Sequence, residues 1–363
     1  MEQKMTTKER WKAALRCEPI DRLPFWPKLD ASYAPFQRKP FSAMSNDEIH
    51  AYIGSEPPIG LPSCVKEVSA ARYRVEANGY NEHTTIESPL GTLTSTRRYD
   101  PGSYSWHPTE FPIKSRDDIE ILTDVYEHTN LEVDLEGKAK SVEKSREAGD
   151  GGATLEAIGK SALMHFVEYL AGVENAHLFL ADYEEDVITL FFELDRNLVS
   201  RIDLLVEHSP ADMLMLVENT STSLISPEQY RSYSAETIAG YAEKVRGSGK
   251  AMVLHMCGFL KALLPQLTQI GAHAFEAFTS PPVGNTPLHA GRNSSDDICL
   301  IGGTNAALWL EPAETIIAAI EADFEKLPHL RGIIPSSAGV MPPLAGPEKI
   351  RSVCQWINRY RKN

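Results

Sequence analysis

The second half of this chain repeats one pattern: a short apolar run, a polar residue at its end, then an amphipathic helical stretch. The runs are TLEAIG, DMLMLVEN, AMVLHMCG, AHAFEAF, ICLIGG and RGIIPSS, starting near residue 153. Helical stretches such as Pro227 to Arg246, Phe259 to Gly271 and Glu311 to Lys326 separate them. Strands this short and this apolar need cover on both faces, which is the situation of parallel βαβ units. Adding RLPFWP and one strand from residues 82–98 brings the number to eight. The expected fold is therefore α/β, a (β/α)8 TIM barrel as one domain over residues 1–363, with N-terminal helical and hairpin additions.

The additions are read more coarsely. TKERWKAALR, residues 7–16, predicts a short amphipathic helix with Thr7 as N-cap and Glu9 two residues on. Residues 31–80 lack a clean period and read as a loop-and-helix cap over one end of the fold. Residues 82–98 alternate β-branched and polar side chains around Pro89-Leu90-Gly91, which predicts a hairpin. Residues 137–152 predict a solvated helix and a loop.

Composition narrows the function classes. Hydrophobic residues make up 42% and charged residues 24%, as in soluble globular proteins. The net charge of −14 argues against a nucleic acid or an anionic membrane held by bulk electrostatics. No apolar run approaches the ~20 residues of a membrane span. The start, MEQKMTTKERWKAAL, is charged where a signal peptide is apolar, so a cytoplasmic protein is expected. The 5 cysteines are scattered and odd in number, which is no disulfide framework. Cys17, Cys64, Cys299 and Cys354 read as buried hydrophobes or inert thiols.

A barrel keeps its chemistry at the carboxyl ends of its strands. The polar residues there are Asp30, Glu156, Glu218, Asn219, His255, Cys257, Glu276, Thr304 and Ser336 or Ser337. Leu254-His255-Met256-Cys257-Gly258 is the strongest local signal. In an extended chain alternate residues share a side, so His255 and Cys257 can converge, and imidazole with thiolate suits zinc. Glu276 ends the next apolar run and can close on the same ion as third ligand, leaving a fourth position open for catalysis. A histidine and a cysteine two apart can also simply fill space; their place at a strand end favours the ligand reading.

Other features have plainer readings. Phe278 to Thr286 is a rigid loop, either a turn or a wall of the mouth. Gly302-Gly303 permits close approach by a ligand or by a helix. Ser226-Pro227 is a helix start. Glu218 is a candidate ligand, or a general acid for a leaving oxygen. His165, Glu174 and His177 read as structural. Nucleophile elbows, Walker loops and dinucleotide fingerprints are absent.

Several segments, in order, resemble the uroporphyrinogen decarboxylase superfamily over nearly the whole chain. They are Lys8-Glu9-Arg10, Ala13 to Pro24, Glu87-Ser88-Pro89-Leu90-Gly91-Thr92, Ile225 to Glu228, His255 to Gly258, Ile301-Gly302-Gly303 and Gly339 to Pro343. The resemblance implies a (β/α)8 barrel and offers two chemistries. True uroporphyrinogen decarboxylases carry an arginine-rich segment near the N-terminus for the substrate's carboxylates. The equivalent stretch, FWPKLDASYAPFQRK, has one Arg and two Lys in an aromatic setting, which disfavours that substrate. Corrinoid-dependent methyltransferases hold zinc by H-x-C and a distant cysteine. His255 and Cys257 match the first two positions, but the third falls at Ala338.

The resemblance thus implies a zinc-dependent methyltransferase of the O-demethylase type. It would move a methyl group from a small, methoxylated aromatic donor to the cobalamin cobalt of a corrinoid-binding partner protein. Zinc ligands would be His255, Cys257 and Glu276, with Glu218 the rival carboxylate. Glu218 and Glu276 are the catalytic candidates, and Phe25, Trp26, Tyr33 and Asn219 the substrate-binding ones. A decarboxylase-like lyase and a non-catalytic corrinoid- or tetrapyrrole-binding barrel are the alternatives. The oligomeric state stays open, a homodimer included.

Overall fold

Thr6, rather than Thr7, begins the chain's regular structure. Its side chain accepts from Glu9 N while Glu9 reaches back to Thr6 N, a reciprocal cap that needs the three-residue spacing Thr6 provides. The helix Thr7–Leu15 follows. The computed structural model describes residues 4–362.

Eight parallel strands then form one curved sheet: β1 (Trp26–Lys28), β2 (Ile59–Gly60), β3 (Thr154–Gly159), β4 (Met213–Val217), β5 (Ala251–His255), β6 (Ala274–Phe278), β7 (Cys299–Gly303) and β8 (Ile333–Val340). Their order is β1-β8-β7-β6-β5-β4-β3-β2. The Glu56 N–H donates to Phe25 O at 2.9 Å across the remaining gap, next to β2. The result is a (β/α)8 barrel. Strands such as β4 and β6 are buried almost throughout, which is why they read as unbroken apolar runs.

One strand was assigned to the wrong segment. The barrel takes its second strand from Ile59–Gly60, not from residues 82–98. Only two residues pair there, between Pro57-Pro58 and Pro62, too few to show a period. The 82–98 hairpin exists, as Asn81–Ser88 and Gly91–Asp100, but belongs to a separate four-stranded antiparallel sheet with Arg72–Asn78 and Ser105–Glu110. Val65–Ser69 pairs with Thr129–Val133 beside it. Residues 31–80 thus hold strands as well as the expected helix, Asn46–Ile53.

Inside the barrel, Met213, Met215, Val253, Ala274, Cys299, Ile301 and Ile334 pack with Trp11, Ala14 and Leu15 of the N-terminal helix. That helix closes the amino-end of the barrel. Trp11 meets Trp26 edge to face at 5.9 Å. Arg10, 1% exposed, binds Asp21, Glu56 and Met5 O, pinning three segments at that end. No helix among the described residues is long and apolar enough to cross a membrane.

Irregularities collect at the other end. Pairing shifts interrupt β1–β8, β3–β4 and β6–β7, and Asn219, Ala277 and Ala338 have positive φ. Such bulges re-aim side chains at barrel rims. Gly302 has φ +156°, and a Cβ there would fall 2.3 Å from Phe278 O. Gly302 is needed for close approach of the neighbouring strand, and Gly303 for packing of the helix Leu288–Arg292, where a Cβ would fall 2.5 Å from the Leu288 side chain.

Candidate active site

His255 and Glu276 are register partners on β5 and β6. Their side chains therefore stand next to each other on the inner face of the mouth. Nδ1 of His255 is hydrogen-bonded to Glu276 Oε2. Glu276 Oε1 accepts from Lys28 Nζ at 2.9 Å. Burial pushes the Glu276 carboxyl up, but the Lys28 charge and the His255 bond outweigh it and hold the pKa below the usual value. Since the carboxylate is ionised, Nδ1 carries the proton it receives, and Nε2 has no hydrogen-bond partner among the described residues.

Lys28 was not singled out from the sequence, where Asp30 seemed the polar end of β1. Asp30 instead accepts from Ser32 N and Oγ and shapes a turn. The signal for Lys28 was its spacing of two from Trp26, which places both on one face. Its ammonium lies 5.4 Å from the Trp26 ring centre and 3.5 Å from Ala338 O.

Cys257 sits between two ion pairs. One is Lys28–Glu276 and the other Lys160–Glu168, at 2.9 Å. Asn219 links the second pair to the thiol: its Nδ2 donates to Glu168 at 3.1 Å, and Oδ1 lies 3.7 Å from Cys257 Sγ. Burial pushes the Cys257 thiol up; Lys28 and Lys160 pull it down, and Glu168 and Glu276 raise it further. Lys160, Glu168 and Tyr169, whose ring lies 5.1 Å from Lys160 Nζ, also escaped the sequence reading. Lys160 directly follows β3, and Glu168 and Tyr169 lie in a short π-helical stretch, Phe166–Leu170, with no strand-end pattern to flag them.

The expected zinc ligands share this mouth but do not form a three-donor cage. Both Glu276 oxygens are committed, to Lys28 and to His255, and the Cys257 thiol faces Asn219. Among the described residues no three His, Cys, Asp or Glu side chains converge as metal ligands. The donor set as arranged does not fit a tetrahedral zinc with three protein ligands.

Glu218 is placed elsewhere. It is fully buried on the outer side of β4, where Ser161 N and Oγ each donate to it at 2.7 Å. Burial raises its pKa to about 7, against the opposing Ser161 bonds. Its oxygens hold the start of the helix after β3, so it is corrected from a ligand or acid to a buried brace. Two stacking candidates are corrected as well. Phe25 is 1% exposed and stacked on Trp309; Tyr33 is fully buried and donates to Ala345 O. Trp26 has its edge contact with Trp11 and Lys28 over its ring, inside the barrel. Phe25 and Tyr33 therefore offer no free face, while Trp26 is partly exposed.

The remaining strand-end residues are structural. Glu156 accepts from Cys64 N, and Thr304 donates to Ser336 O while receiving Trp309 Nε1. His177 bridges Leu224 O and Gln229. The Phe278–Thr286 loop lines a cavity of about 500 Å³ with His289, Asn305 and Asp323.

A solved methyltransferase from Methanosarcina mazei shares this architecture with a TM-score of 0.61, at 14% identity over 98% of each chain. A vitamin-B12-independent methionine synthase candidate from Listeria monocytogenes aligns over 61% of this chain and 68% of its own, at 15% identity and TM-score 0.43, too distant to argue from. No curated protein matches. Identities this low speak for the fold alone. The uroporphyrinogen decarboxylase (URO-D) pattern itself matches residues 109–360, which carry β3 to β8 together with His255, Cys257 and Glu276. The chain belongs to the uroporphyrinogen decarboxylase family.

Proposed function

We propose that this chain transfers a methyl group from a small methoxylated aromatic donor to the cobalt of a corrinoid on a partner protein. One observation carries the reading: the Lys28–Glu276–His255 chain of hydrogen bonds laid across the barrel mouth. The shared fold with a methyltransferase supports it.

The reaction asks the mouth for one thing above all. Co(I) supplies the electron pair of the new carbon–cobalt bond, and the carbon–oxygen pair stays on the departing oxygen, which then takes a proton. Negative charge builds on that oxygen and must be met by groups already in place. Oxygen, methyl carbon and cobalt must also be held in line. His255, fixed through Nδ1 by Glu276, presents Nε2 to the mouth as an acceptor for a hydroxyl of the donor. Tyr169, 44% exposed beside Lys160, and the partly exposed Trp26 offer rings that the buried Phe25 and Tyr33 do not, and Asn219 adds polar contacts.

Decarboxylation of a carboxylated substrate would call on Lys28 and Lys160 as anchors. Each is held by a glutamate, and two such cations are too few for a substrate that carries many carboxylates.

The test supplies the purified chain with vanillate or guaiacol and a reduced corrinoid protein. Phenolic product and methylated corrinoid should appear together. Demethylation without corrinoid, or release of carbon dioxide in place of methyl transfer, would overturn the reading.

A further inference from the structure

We infer that Lys28 holds the position a metal ion would otherwise fill, so that its ammonium is the cation that meets the leaving oxygen. The reaction part of this inference rests on the methyl-transfer reading; the metal part stands by itself.

Three observations converge on the ammonium. Glu276 is fully buried, and of its two oxygens one binds Lys28 at 2.9 Å and the other binds His255. A metal taking Glu276 as ligand would have to displace Lys28 or sit beside it, and two cations a few ångströms apart repel. Residue 338, where the resemblance puts a third ligand, is Ala338, and its carbonyl lies 3.5 Å from the same Nζ. The backbone at the place of the missing ligand thus offers its carbonyl to the ammonium. Finally, Lys28 is supplied by β1, with two strands between it and the strand of Glu276, so the cation reaches the carboxylate from across the mouth.

The ammonium is suited to the role. An ammonium has three N–H donors. One goes to Glu276 and a long one to Ala338 O, which leaves the third for a ligand oxygen. Lys28 is 19% exposed while Glu276 is fully buried, so the charge is anchored below and open above. As the carbon–oxygen bond breaks, the electron pair stays on oxygen, where the third N–H meets it in a charge-assisted hydrogen bond, and the departing phenolate takes its proton from solvent.

Cobalt(II), added as a spectroscopic substitute for zinc, decides the metal part. Wild-type protein, Lys28→Ala, Lys28→Met and the double variant Lys28→Ala/Cys257→Ala are titrated with it, each checked for native fold by circular dichroism. Wild type should show no cobalt–thiolate absorption at one equivalent. Lys28→Ala, with Glu276 released, should gain about one cobalt per chain with a thiolate band, and the double variant should lose that band. Should Lys28→Ala misfold, Lys28→Met keeps the stem over Trp26 and carries the same comparison. Wild type binding one cobalt through Cys257, or neither Lys28 variant gaining any, overturns the inference. In the methyl-transfer assay Lys28→Met should lose roughly 10²- to 10³-fold in kcat, with Lys28→Arg retaining more. Unchanged turnover in Lys28→Met would remove the ammonium from the reaction. Absence of methyl transfer in wild type would overturn the proposed function and leave the cobalt result to stand or fall separately.

Discussion

Lys28 and Glu276 meet at 2.9 Å although their strands, β1 and β6, are not neighbours in the sheet. Two strands separate them, so the pair reaches across the mouth and does not run along its wall. A fully buried carboxylate is costly unless it is paired and hydrogen-bonded. Glu276 meets both conditions through Lys28 and His255, and each of the three depends on the other two.

Glu276→Gln keeps the volume and removes the charge. It should lower stability by roughly 1–3 kcal/mol, less than the ~3–5 kcal/mol of a broken fully buried pair because Lys28 can reach water. Turnover should fall by about 10²-fold as His255 loses its orienting partner. Urea unfolding and single-turnover kinetics measure the two effects. A variant with wild-type kinetics would show that the bond to His255 has no part in the reaction.

Cys257 should behave as a thiol at neutral pH. Burial, the largest influence, raises its pKa, so the reactive thiolate is scarce. Alkylation by iodoacetamide at pH 7 should be slower than for a free small thiol and should accelerate as pH rises. Fast labelling at pH 7 would mean that Lys28 and Lys160 outweigh burial.

Glu218 should leave its mark on stability. Its folded pKa is raised to about 7 by burial, whereas the unfolded chain releases the proton near 4.5. The native state therefore holds an extra proton between these values, and stability falls as pH rises through that window. The slope approaches ~1.4 kcal/mol per pH unit at its steepest. Glu218→Gln, whose amide can still accept from Ser161 N and donate to Ser161 Oγ, should flatten the curve over pH 4.5–7. An unaltered pH profile of unfolding would contradict the raised value.

Arg10→Met removes one buried charge at the closed end of the barrel, leaving Glu56 with Arg22 and Thr7 and Asp21 with backbone donors alone. A loss of about 3 kcal/mol is expected. The mouth lies at the opposite end, so KM should not change in protein that remains folded. A shift in KM larger than the change in folded fraction would tie the two ends together.

What could be read from the sequence followed the strength of local pattern. β3 to β8 were each visible because a strand buried on both faces has no polar positions to interrupt it. β2 was missed because two residues cannot show a period, and the separate antiparallel sheet because most of its side chains are exposed. In the site, the strand-end rule and the spacing of two put His255 in register with Glu276. Lys28, Lys160 and Glu168 stayed hidden for a different reason. A lone lysine is ordinarily a solvated residue, and only the curvature of the closed sheet brings these charges to one mouth. Glu218 failed in the opposite way. It sits one residue beyond Val217 at the end of β4, and alternation turns it outward, away from the axis that its position in the chain suggested.

The helix that seats Trp11 against Trp26 makes the barrel a blind-ended well. Anything that reaches His255 must come and go through the one opening. Were a corrinoid domain to dock over that opening, as the proposed function requires, it would stopper the well, and the small donor would have to be inside first. A spent phenol would likewise have no back door and would wait for the partner to leave. Under that proposal the plugged floor alone would impose an order of arrivals and departures, before any residue of the mouth has acted.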